Sequence, residues 1–160
     1  MRLKLVRIIS GGQTGADQGG LEAAVRLGIP TGGKVPLGFK TENGAMPELG
    51  ELYGLEELMT PEYPPRTRYN VVDSDGTIIF GRTSETGSWL TRSMCLEGGR
   101  PCLWIEDFSE AEKLKIVEFI SKFKIRTLNI AGNRESKYPG LQQKVSDFLV
   151  DSLKAFYAGS

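Results

Sequence analysis

Three stretches of the 160-residue chain combine glycines with polar side chains at spacings suited to holding an anion. The first is SGGQTGAD, Ser10 to Asp17. Gly11, Gly12 and Gly15 let the backbone approach a ligand or take positive φ, and Gln13 and Thr14 add side-chain donors. Asp17 falls in the first turn of the following helix. There it either complements the helix dipole or hydrogen-bonds a ligand hydroxyl or amine. The second stretch, Gly81 to Ser88, ends in Gly87 and Ser88. The third, Gly132 to Gly140, carries Asn133, Arg134, Glu135, Ser136 and Lys137. Arg134 offers a planar fork for phosphate or carboxylate.

Neither standard nucleotide signature fits. The glycines at 11, 12 and 15 do not make GxGxxG. Gly28 to Lys34 matches GxxxxGK, but Val35 stands where a P-loop needs Ser or Thr for magnesium, so the match reads as coincidence. Lys34 remains a candidate to reach the ligand and offset its charge.

These loops need elements to hold them. Leu3 to Ile9 reads as a strand, near-continuously apolar as in a sheet buried on both faces. A helix follows from Ala16 to Leu27, with Leu21, Ala24, Val25 and Gly28 on one face, and Gly28 and Pro30 stop it. Pro30 to Pro65 is irregular, with a short helix expected around Leu49 to Leu58. Then come a helix over Arg66 to Val72, a turn holding Asp73 and Asp75, and a strand over Thr77 to Phe80. The remaining expectations are a helix up to Glu97, a strand over Cys102 to Ile105, a helix over Ser109 to Phe123, a strand over Thr127 to Ala131 and a helix over Leu141 to Tyr157. Ser109 and Glu112 have the spacing of a capping box. This alternation predicts a single α/β domain over residues 1–160: a Rossmann-like parallel sheet with helices on both faces, three layers αβα. Ligands of such sheets sit beyond the carboxyl ends of the strands, where all three loops emerge and each feeds a helix N-terminus.

Composition removes other classes. The chain has no histidine, which excludes Ser-His-Asp and Cys-His catalysis and histidine metal sites. Two cysteines, Cys95 and Cys102, do not make a zinc site and read as reduced core thiols. Twenty basic residues balance twenty acidic ones, without the excess a nucleic-acid binder shows. No segment approaches the roughly 20 apolar residues of a membrane span, and no signal peptide is evident, so a cytoplasmic protein is expected.

Taken in order, SGGQTGAD (10–17), PTGGKVPLG (30–38), TENGAMPE (41–48), RTRYNVVDSDGTIIF (66–80), TGSWLT (86–91) and AGNRESKYPG (131–140) resemble the putative molybdenum carrier family over nearly the whole chain. The resemblance implies a Rossmann-like sheet, a homo-oligomer (tetramers) and a pocket for the anionic, phosphate-bearing molybdenum cofactor (molybdopterin). It also implies kinship with the lysine-decarboxylase-like phosphoribohydrolases, whose PGGxGTxxE motif carries a catalytic glutamate. Thr91 stands at that glutamate's position here, and Glu85 lies on the other side of the turn. The expectation is therefore a protein that holds its ligand without cutting it, with no catalytic residue and no protein metal ligand. Backbone N–H groups of Gly12 to Gly15 and of Gly87 and Ser88 would capture the anion, reinforced by Arg134 and Lys34. On this reading Gly12→Val removes binding and leaves the domain folded. The alternatives are a nucleotide-binding hydrolase using Asp17, Asp73 or Glu135, and a nucleotide-ligand sensor.

Overall fold

A computed structural model describes residues 5–157; Leu3 and Lys4, at the start of the expected first strand, lie outside them. The strand core lies where short apolar runs recur, such as Ile8 and Ile9, or Ile78, Ile79 and Phe80. Strands β1 (Arg7–Ser10), β7 (Gly76–Phe80), β8 (Cys102–Ile105) and β9 (Thr127–Gly132) form one parallel sheet with the two-residue β2 (Thr31–Gly32). The order is β2-β1-β9-β7-β8. The last strand in the chain thus sits between the first and β7, with Ser10 opposite Ile130 and Phe80 opposite Gly132. That insertion brings the carboxyl ends of β1, β9 and β7 side by side.

Helices cover both faces. On one, α1 (Ala16–Leu27), α5 (Glu110–Lys122) and α6 (Leu141–Tyr157) pack on Ile8, Ile78, Phe80, Leu128 and Ile130. On the other, α3 (Tyr63–Asp73) lies against α4 (Thr86–Glu97), and Val71, Met94, Cys95 and Cys102 form a smaller cluster. Both cysteines are unpaired thiols. The result is the expected three-layer αβα Rossmann-like arrangement.

Three local expectations differ. Val25 is 58% exposed, because α1 seats Ala16, Leu21, Ala23 and Ala24 inward instead. The capping box at α5 does not form: the Ser109 hydroxyl and N–H both go to Asp107, and its side chain caps nothing. The region Pro30–Pro65 is more ordered than its prolines suggest. Strand β3 (Lys34–Val35) pairs with β6 (Glu56–Glu57), and β4 (Lys40–Thr41) forms a hairpin with β5 (Gly44–Ala45). The short helix α2 runs Glu48–Tyr53, not to Leu58, because Gly54 turns left-handed at φ 68°. Leu21, Val35, Leu49 and Leu55 anchor this segment in a second apolar cluster.

Candidate functional site

The turn between β1 and α1 closes on itself. The Gly12 N–H reaches the Ser10 hydroxyl at 3.3 Å, and the Gln13 N–H reaches Asp17 Oδ2 at 3.1 Å. The Thr14 N–H donates to Gln13 Oε1, the Gly15 N–H to Gln142 Oε1 and the Ala16 N–H to the Asn133 carbonyl. The first four of these are the N–H groups expected to cradle an anion, and all of them are spent inside the fold. Gly11, Gly12 and Gly15 instead shape the turn. Gly15 has φ 81°, and a Cβ there would stand 2.4 Å from the Asn133 carbonyl oxygen. Gly12 has φ 75°, with Val35 Cγ1 2.8 Å from a would-be Cβ. A fold-neutral Gly12→Val is therefore not available at this position.

Two further expectations change at the edge of this turn. The Thr14 hydroxyl donates to Glu42 of the β4–β5 hairpin and accepts the Glu135 N–H at 3.2 Å. Ser136 gives its hydroxyl and its N–H to the same Glu42 carboxylate. Burial opposes the charge on Glu42, but the Ser136 and Thr14 hydroxyls, the Ser136 N–H and Arg134 outweigh it and hold its pKa below the usual carboxylate range. Thr14 and Ser136 thus bind the hairpin to the two loops. Nothing in the residue type marked Glu42 for this, although it lies in the TENGAMPE stretch. Lys34 does not reach the loops either. Its Nζ pairs with Glu56 at 3.0 Å, and its backbone is held at both polar groups by Asn70.

Beside the closed turn lies a cleft of about 350 Å³, within the range of small-ligand sites. The β1 turn contributes Gln13 and Asp17, and α3 contributes Tyr63, Pro64, Arg66 and Thr67. The loop before α4 and its first turns contribute Glu85, Thr86, Gly87, Ser88, Leu90 and Thr91; β9 and its loop contribute Ala131, Gly132, Asn133, Arg134 and Lys137. Of the expected site residues, Gln13, Asp17, Gly87, Ser88, Asn133 and Arg134 therefore meet at one cleft. Thr91, the residue at the phosphoribohydrolase glutamate's position, lines it, and so does Glu85.

The cleft offers one open helix N-terminus. Helix α4 starts after Glu85 with no side-chain cap and no acidic residue in its first turn. The leading N–H groups of a helix lack intrahelical partners, so those of Thr86, Gly87 and Ser88 present a partial positive charge. Buried Asn133 fixes this loop: its Oδ1 accepts the Arg82 N–H at 2.6 Å and its Nδ2 donates to Ser88 Oγ at 3.0 Å. Arg66 and Arg134 both lie over the Tyr63 ring, at 5.2 and 5.8 Å, and Lys137 adds a third cation to the cleft. Arg134 is not paired with Glu135, which instead accepts the Gly140 and Gln142 N–H groups at the start of α6.

Two side chains of the cleft wall carry a buried nitrogen without a partner: Gln13 at Nε2, and Arg66 at Nε, which lies over Gly11. Gln13 is 5% exposed and its Nε2 has no hydrogen-bond partner. Its amide orientation is fixed, because Oε1 accepts the Thr14 and Glu42 N–H groups. Asp17 is 4% exposed. Burial pushes its pKa up to about 6, against the Arg66 guanidinium 3.9 Å away, the Gln13 N–H and Arg134. By contrast, Asp75 serves the opposite end of the sheet, where it accepts the Arg126 and Thr127 N–H groups.

Comparison with known proteins agrees with this arrangement. No curated protein matches the chain. A crystal structure from Syntrophus aciditrophicus SB, described as a "Putative molybdenum carrier protein", superposes with a TM-score of 0.85 at 38% sequence identity, covering 98% of this chain and 97% of that one. A family model matches residues 8–153, from β1 to within α6. The chain belongs to the circularly permutated YpsA SLOG family.

Proposed function

We propose that the cleft binds a small phosphate-bearing ligand and that the protein holds and carries this ligand. The observation that carries the reading is the first turn of α4, without a side-chain cap, lining one cleft together with Arg66, Arg134 and Lys137. A phosphate placed on the Thr86, Gly87 and Ser88 N–H groups gains the helix dipole and charge-assisted bonds together. This differs from capture by the β1 turn, whose N–H groups are occupied.

The name of the structural relative supports a narrower reading, in which the ligand is molybdenum cofactor. The cleft fits such a group at two points: cations and open N–H groups suit its phosphate, and the partnerless Gln13 Nε2 calls for a ligand acceptor. The cofactor brings molybdenum on its own dithiolene, and among the described residues no group of three or more His, Cys, Asp or Glu side chains stands ready to hold a metal ion. Assembly into a homo-oligomer belongs to the same reading.

The test is purification from a host that makes the cofactor, followed by native mass spectrometry and pterin fluorescence. The expected result is a co-purifying pterin phosphate that Arg134→Ala reduces about tenfold. Protein that arrives empty, binds no inorganic phosphate and does not protect added cofactor from oxidation overturns the reading.

A second reading, a nucleotide-binding hydrolase, is favoured by one observation: Asp17 and Glu85 place two carboxyl groups on the same cleft, one with its pKa raised to about 6. Chromatography of nucleoside monophosphates incubated with the protein separates the two. Released base supports hydrolysis, and unchanged nucleotide supports carriage.

A further inference from the structure

We infer that Gln13 and Asp17 form a reader for a lactam edge, the –NH–C(=O)– group of an oxo-purine or oxo-pteridine ring, and that the cleft rejects rings that lack it. The inference rests on the phosphate-ligand reading above and adds the class of ring attached to that phosphate.

Gln13 and Asp17 join one unmatched donor to one carboxylate with a single hydrogen bond on its side chain among the described residues. Gln13 Nε2 is a buried donor with nothing to donate to, an arrangement that a ligand acceptor would relieve. Its orientation cannot be reversed without losing the two N–H groups that Oε1 accepts. Asp17 is a buried acceptor four residues on, in the first turn of α1 and in the same wall, and its Oδ2 already takes the Gln13 N–H at 3.1 Å. The Gln13–Asp17 pair therefore presents one donor and one remaining carboxylate oxygen. A ligand that satisfies both must offer an acceptor beside a donor. A lactam does so with its carbonyl oxygen and ring N–H. In an adenine ring oriented alike by the same sugar and phosphate, the corresponding edge carries the reverse order, an exocyclic donor beside a ring acceptor, and sets donor against donor and acceptor against acceptor.

A sugar diol is the competing guest for a carboxylate. It is better matched when both carboxylate oxygens are open, and here one is engaged and a cation sits 3.9 Å from it. The surroundings also suit a ring. Tyr63, Pro64 and Leu90 bring flat or apolar surface to the same cleft. A site built to hydrogen-bond a ligand group rejects the analogue lacking it more strongly than an apolar pocket rejects a change in size, because the buried partners are left unpaired.

Calorimetric titration of the full chain with inosine monophosphate, adenosine monophosphate, ribose 5-phosphate and inorganic phosphate tests this. The first two share sugar and phosphate and differ at the lactam. Inosine monophosphate is expected to bind at least tenfold more tightly than adenosine monophosphate, and Asp17→Asn and Gln13→Leu are each expected to erase most of that difference. The comparison in the unsubstituted protein decides the matter even if either variant folds poorly. Equal binding of the two nucleotides overturns the lactam reader and leaves the phosphate site standing. Ribose 5-phosphate binding as tightly as inosine monophosphate also overturns it, in favour of a sugar at Asp17. Binding of none of the four, phosphate included, overturns the phosphate-ligand reading and this inference with it.

Discussion

At neutral pH Asp17 is ionised where burial opposes its charge, and Arg66, Arg134 and the Gln13 N–H offset only part of that opposition. Its folded pKa of about 6 lies above the ordinary 3.8. A carboxyl raised in this way contributes stability that is complete below the unfolded value and lost as pH rises through the folded one. Asp17→Asn is therefore expected to be more stable than the unsubstituted protein at pH 7 by on the order of 2–3 kcal/mol and to lose that advantage near pH 4. Urea denaturation across that window checks it; a pH-independent difference would show that Asp17 titrates normally. The glycines separate in the same way. Gly15→Ala puts a Cβ 2.4 Å from a backbone oxygen at φ 81°, and a loss of roughly 3 kcal/mol or more is expected. Gly87→Ala meets nothing within 4 Å inside a helix, and its melting temperature should stay level or rise slightly.

Among the elements, α4 carries the binding reading. Glu85, just before it, is extended at φ −91°, ψ 121°, the conformation that precedes proline. Thr86→Pro therefore suits the first helical position and removes one N–H from the anion face. Unchanged circular dichroism with phosphate affinity weakened roughly three- to tenfold is the expected outcome; unchanged affinity would place the anion elsewhere. The strands and longer helices were legible in the sequence because their apolar periodicity matches their burial, as in Leu141, Val145, Phe148 and Leu149 of α6. The loops were legible as a set, since parallel topology sends all three to one edge. Hydrogen bonding was not. Sequence shows that Ser10 to Asp17 is rich in N–H groups but not that Ser10, Asp17, Gln13, Gln142 and Asn133 consume them. Glu42 and Tyr63 lie in the irregular stretch, where no periodicity places a side chain.

Over the whole molecule, several large apolar side chains remain on the surface. Tyr69 and Val72 of α3 and Leu96 of α4 are 51%, 48% and 71% exposed, on neighbouring helices that Arg68 and Glu97 bridge. Exposed apolar surface of this kind suits subunit association. Light scattering is expected to give a multiple of 17.6 kDa, with Leu96→Glu lowering it; a monomer at micromolar concentration would count against assembly. Among the described residues no helix is long and apolar enough to cross a membrane.

The closed turn after β1 has a consequence for kinetics. Because its hydrogen bonds are made between residues of the fold itself, the turn holds Gln13 and Asp17 in place, and an incoming ring has no loop to organise there. Capture should then be a single-step encounter whose rate rises linearly with ligand concentration, without the plateau that a slow rearrangement imposes. Its dependence on ionic strength would come from Arg66, Arg134 and Lys137 drawing the anion in. Differences between guests would appear mainly in how long each one stays.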